Sequence, residues 1–154
     1  MVNIRDKGQR AEREAVQFFN DIYEEVHELL GIPLPPKPIA QRRQNQSAVG
    51  GADIDNTCRY AVEIKNHATL QVNSWWKQCV ASDAERGRIP VLMYKVERKG
   101  WKVVMCLNPA VYDVAEFQHY IRKEPIRCTI ELEDFREIFR AHAINFIQHT
   151  GQHT

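Results

Sequence analysis

The chain has 154 residues, of which 44% are hydrophobic and 27% charged, with a formal net charge of +1. That length and composition predict one soluble domain with a real core. They exclude a transmembrane helix, since no run approaches about 18 apolar residues, and the bulk charge announces no nucleic-acid partner.

Four cysteines, Cys58, Cys79, Cys106 and Cys128, form no C-x-x-C pair, so a zinc site is not expected. Their apolar surroundings predict reduced core thiols in a cytosolic protein. The first residues hold no apolar signal core, which predicts a cytoplasmic location without membrane attachment. Charge is unevenly spread: residues 37–52 carry Lys37, Arg42 and Arg43 without an acid, residues 86–102 are basic, and residues 131–137 are acidic. Such polarity suits an anionic ligand on one side, or a solvated surface.

Residues 4–30 read as one amphipathic helix. Ile4, Ala11, Ala15, Phe18, Phe19, Ile22, Val26, Leu29 and Leu30 recur at helical spacing, and Gly31 followed by Pro33 ends the run. Glu12 lies roughly 60–80° from the centre of the apolar stripe, at the edge of the buried face, with Arg13 and Glu14 further toward solvent. It is placed either to reach a sheet-based site or to be one more surface carboxylate. Residues 31–49 read as a linker without helix, proline-rich first and then basic and amide-rich. A loop of this kind is either a basic arm contacting phosphates, through Arg42, Arg43 and Ser47, or a mobile surface segment.

Two short strands are expected next, joined by a turn at Asp55, Asn56 and Thr57. The first carries Asp53 after Gly50, Gly51 and Ala52, where backbone can approach a ligand closely. The second, residues 60–65, puts Tyr60, Val62 and Ile64 on one face and Ala61, Glu63 and Lys65 on the other. Asp55 shares the parity of Asp53 but opens the turn, where Asx chemistry is the simpler explanation. Two acids and a lysine on adjacent strands can hold a divalent metal and set a cation beside it. An isolated E-x-K is more often a solvated strand face.

Residues 72–86 predict a helix capped by Asn73 or Ser74, with Val72, Trp75, Trp76, Cys79, Val80 and Ala84 inward. The tryptophans fit a core better than a base-stacking platform. Gln78, beside Trp75, is a candidate for orienting water or phosphate. Residues 89–96 predict a buried strand, and a turn at residues 98–100 leads into another at 101–106. The order of elements implies a mixed α/β sheet with flanking helices.

This ordered set resembles the PD-(D/E)xK nuclease superfamily, and within it the archaeal-type Holliday-junction resolvases and their phage-encoded relatives. The resemblance rests on Lys7, Gly8, Glu12, Arg13 and Glu14 in the first helix and on Asp53 after the glycine turn. Val62, Glu63, Ile64 and Lys65 match on the second strand, as do Ile89, Pro90, Val91 and Leu92 leading to Gly100 and Trp101. It covers roughly residues 5–106. It implies a restriction-endonuclease-like core, a mixed central sheet flanked by helices, within a single domain 1–154. It further implies that Glu12, Asp53 and Glu63 serve a metal site, that Lys65 is catalytic, and that the protein is a homodimer nicking both strands of a four-way DNA junction. The linker before Asp53 is longer than in the compact archaeal members, and residues 107–154 have no counterpart. They predict a helix at about 108–122, a strand at 126–130 and an amphipathic helix at 132–148, forming an α/β extension that covers the sheet or builds a dimer interface. His142, His149 and His153 are too loosely spaced on a fraying tail to argue for a metal, and His149 and His153 read as its polar end.

Carboxylates of Asp53 and Glu63, with the Ile64 carbonyl between and Glu12 adding a ligand directly or through water, suit Mg2+; Mn2+ is expected to substitute. Such an ion polarises phosphate and acidifies water. Lys65 either takes the proton or holds the attacking hydroxide. One metal and two both remain open. Rival readings are a same-fold restriction-, flap- or repair-type nuclease and a non-catalytic DNA-binding protein.

Overall fold

The computed structural model describes residues 3–43, 51–82, 87–106 and 126–154. Ser47, Gly50, Ala84, Arg86 and the helix expected at about 108–122 lie outside the described residues.

Helix α1 (Ile4–Leu30) has the predicted bounds, and both are set by local chemistry. The Asn3 side chain caps it by accepting from the Arg5 N–H at 3.1 Å. Gly31 closes it in the left-handed conformation at φ 66°. Its buried stripe is Ala11, Ala15, Phe19, Ile22, Tyr23, Val26 and His27. Ile4 and Leu29, expected inward, are 73% and 60% exposed, because the first and last turns project past the packed layer. Tyr23 and His27 take inward positions instead, since each finds a polar partner for its buried end.

Among the described residues, the sheet has six strands in the order β1 (Gln41–Arg42), β2 (Ile54–Asp55), β3 (Tyr60–Lys65), β4 (Ile89–Val96), β5 (Gly100–Cys106) and β6 (Arg127–Glu131). β3 and β4 are parallel; the other neighbouring pairs are antiparallel. The parallel step is the crossover through helix α2 (Val72–Ser82). The linker was expected to be loop throughout, yet it contains β1. The cause is tertiary: the Asn20 amide clamps the Ala40 backbone in both directions, at 3.0 and 2.9 Å, and lays the chain beside β2.

Side-chain alternation splits the core in two. Tyr60, Val62, Ile64, Val91, Met93, Val103 and Met105 face α1 and helix α3 (Leu132–Thr150). Leu92, Tyr94, Val104 and Cys106 face Trp75, Trp76 and Cys79 of α2, so the tryptophans are core. The four cysteines form no disulfide, and all but Cys128 are buried. α2 begins at Val72, ahead of the expected caps: the Trp75 N–H already bonds to the Gln71 carbonyl, and Asn73 accepts from Arg127 instead.

β6 extends the sheet beyond β5, and α3 packs on α1 through Phe135, Phe139, Ala143 and Ile147. Phe19 and Phe139 meet edge to face at 4.8 Å. The C-terminal tail is tied down rather than frayed. The Cys58 N–H donates to the His153 carbonyl at 2.9 Å, and the His27 and His153 Nε2 atoms stand 2.9 Å apart. Among the described residues, no helix is long and apolar enough to cross a membrane.

Candidate active site

The site forms where β1, β2 and β3 meet. Gly51 has φ 140°, a backbone conformation that L side chains rarely adopt, and the Arg43 guanidinium lies over the space a Cβ would take, 2.6 Å from Nη1. Asp53 follows, held through its backbone on both sides. Its N–H donates to the Val62 carbonyl at 2.8 Å, and its carbonyl accepts from the Arg43 N–H at 3.0 Å. Its side chain then turns back to β3, where Oδ2 accepts from the Ile64 N–H at 2.7 Å.

Glu63 and Lys65 lie on the α2 face of β3, in register with Leu92 and Tyr94. Glu63 is only 5% exposed, and its Oε1 receives Lys65 Nζ at 2.7 Å. Glu12 comes from α1, in the opposite layer. Its Oε2 accepts from Arg42 Nε at 2.7 Å and pairs with Nη2 at 2.6 Å. The structure therefore brings Glu12, Asp53, Glu63 and Lys65 into one neighbourhood.

Their electrostatics agree with that. Asp53 is raised to about 7 from 3.8, first by desolvation and then by the Glu63 charge. The Ile64 N–H lowers it; Glu12 raises it further, and Lys65 opposes. Three acids thus act on one buried point.

Among the described residues, no three His, Cys, Asp or Glu side chains form a ready metal cluster. Glu12 and Glu63 are instead engaged by Arg42 and Lys65. The donor set still fits a hard divalent ion, which is commonly held by one or two carboxylates together with water and substrate phosphate. Asp53 and Glu63 supply two mutually repelling carboxylates. The Ile64 carbonyl points to the same strand edge as its N–H, toward Asp53.

Other expected residues fall elsewhere. Gln78 is exposed on α2. Asp55 lies in β2, paired with Gln41, and does not build the turn. Asn56 and Thr57 do so instead: Asn56 Nδ2 donates to the Ile39 carbonyl at 2.8 Å and Thr57 Oγ1 to the Tyr60 carbonyl at 2.8 Å. Glu14, expected toward solvent, is half-buried and reaches Lys95 Nζ at 2.6 Å. Arg42 and Arg43, read as an arm, are built into the hairpin. Their partners are 30 residues away for Arg42 and backbone for Arg43, so no local sequence signal marks them.

A mixed sheet with an acid before its second strand, E-x-K on its third and a helix glutamate beside them defines a PD-(D/E)xK-type nuclease core. Over residues 3–150 the chain matches the family described as "Phage putative PDDEXK endonuclease", and it belongs to that family. No curated protein and no solved structure matches it. The chain is thus an endonuclease of a class that generally works with divalent metal ions.

Proposed function

We propose that the protein is a Mg2+-dependent endodeoxyribonuclease that resolves four-way DNA junctions by paired nicks, working as a homodimer in the cytoplasm. The observation that carries the nuclease chemistry is the Asp53 carboxylate, docked on the Ile64 N–H beside the Glu63–Lys65 pair.

Asp53, Glu63 and the Ile64 carbonyl would hold the ion, with Glu12 contributing directly or through water; Mn2+ satisfies the same donors. Once bound, a divalent ion neutralises phosphate charge and acidifies water. The chain's own residues do the rest. Asp53 would hold the ion as a carboxylate, its proton released to solvent. Lys65 exchanges Glu63 for the reacting phosphate, orienting the attacking water and balancing developing charge. Arg42 holds Glu12 in place and keeps part of its guanidinium for backbone phosphate. Arg43 fixes the Gly51 turn that presents Asp53.

The substrate is tested by a cleavage panel in Mg2+, with an EDTA control, on a four-way junction, linear duplex, flap and single strand. Paired symmetric nicks confined to the junction are expected. Equal cutting of linear duplex would replace the resolvase assignment with a general or restriction-type nuclease. Binding without EDTA-sensitive cleavage of any substrate would make the protein non-catalytic.

A further inference from the structure

Beyond the acid site, a pocket of about 270 Å³ opens at the end of β3. Ile4 and Lys7 of α1 line one side; Asn66, His67, Thr69 and Gln71 of the β3–α2 connection line the other. Asn66 directly follows Lys65, so the pocket begins about one Cα step, 3.8 Å, past the E-x-K strand.

The walls are held by three elements. Asn66 Nδ2 donates to the Lys7 carbonyl at 3.4 Å, tying the connection to α1. The His67 ring lies 5.5 Å from that of Trp75, tying it to α2. The cavity is therefore shaped before anything enters it.

The polar part of its lining has one chemical character. Lys7 carries a full positive charge, and Asn66, His67, Thr69 and Gln71 can each donate a hydrogen bond. No carboxylate lines it, in contrast to the acid site beyond Lys65. Ile4, 73% exposed, adds an apolar face that suits a sugar ring better than water. A small anion attached to a sugar matches all of these features.

We infer that this pocket is a subsite for a DNA backbone phosphodiester flanking the scissile one. Lys7 supplies the charge, and Asn66 and Thr69 donate to the phosphate oxygens. Successive charges on one DNA strand advance by about 3.4 Å along the axis, and in this assignment a strand cut beside Lys65 continues past Asn66 into the pocket that Lys7 lines. The subsite fixes register and reads no base. It rests on the nuclease reading above, and it explains why the first turn of α1 projects past the core.

The test is a charge-deletion scan of the DNA. Single methylphosphonates replace phosphates one at a time on either side of the mapped cut, and binding is measured in EDTA for wild type, Lys7→Ala and Lys7→Arg. One flanking position should weaken wild-type binding about five-fold. The same position should have no effect on Lys7→Ala and a restored effect on Lys7→Arg. Lys7→Ala should also lower the slope of log affinity against log salt by about 0.9, one phosphate contact. Wild type that cuts DNA in Mg2+ while every methylphosphonate affects wild type and Lys7→Ala alike would overturn the subsite alone. Wild type that cuts no DNA would overturn the nuclease reading, and the subsite with it.

Discussion

Arg42 grips Glu12 through two nitrogens on one oxygen: Nε and Nη2 both reach Oε2, at 2.7 and 2.6 Å. The contact joins α1 to β1 of the hairpin carrying Asp53, beside which Glu12 adds its charge. Arg42 is thus a positioning residue for Glu12. Removing it should cost about 10–100-fold in cleavage, the usual effect of losing a group that orients a ligand. Mn2+ affinity, measured calorimetrically on the free protein, should weaken in Arg42→Gln and recover in part in Arg42→Lys. Unchanged Mn2+ affinity in both variants would confine Arg42 to DNA contact.

Asp53 predicts an unusual pH dependence. Its folded value is raised to about 7 from 3.8, so the folded state binds this proton more tightly than the unfolded state. The associated stability is complete below about pH 4 and is lost as pH rises through about 7. Asp53→Asn keeps the side chain neutral and should be more stable than wild type at pH 8 in EDTA, by roughly 2–4 kcal/mol. The difference should vanish near pH 4. Parallel denaturant titrations at the two pH values check this.

The tail predicts the opposite trend. The Pro33 carbonyl can only accept, so His27 Nδ1 carries the proton and His27 Nε2 is left as acceptor for His153 Nε2–H. Burial, and then the charge of His27, hold His153 below its usual 6.5. The stability it contributes is present above pH 6.5 and is lost as pH falls. His153→Ala should therefore lower Tm at pH 7.5 and make little difference at pH 5.

Gly51→Ala should destabilise the chain by roughly 1–3 kcal/mol, since its positive φ disfavours any Cβ and the Arg43 guanidinium must shift to admit one. Thermal unfolding in EDTA reads this directly. Gly8, in the second turn of α1 with nothing within 4 Å of a Cβ, is the internal contrast and should tolerate alanine.

These residues show what a sequence can and cannot carry. Helix α1 is legible because its apolar spacing and the Gly31 stop are local signals, and β3 because its alternation separates Tyr60, Val62 and Ile64 from Glu63 and Lys65. The glycine turn distinguished Asp53 from Asp55, and the structure puts Asp53 beside Glu63. Strand β1 was hidden because its cause is the Asn20–Ala40 clamp, formed across 20 residues. The partner of Arg42 and the docking of His153 onto His27 were hidden for the same reason, since each is a tertiary contact between segments that look polar on their own. The inward reach of Glu14 is hidden likewise, because helical angle alone does not reveal Lys95 on β4.

The central claim is that the Asp53, Glu63 and Lys65 hairpin cuts DNA with a divalent ion. The most direct measurement is single-turnover cleavage of a labelled four-way junction by wild type and Lys65→Ala in Mg2+, with binding of each measured in EDTA. Lys65→Ala should bind like wild type and lose about 10²–10⁴-fold in rate. Cleavage by Lys65→Ala at the wild-type rate would contradict the account.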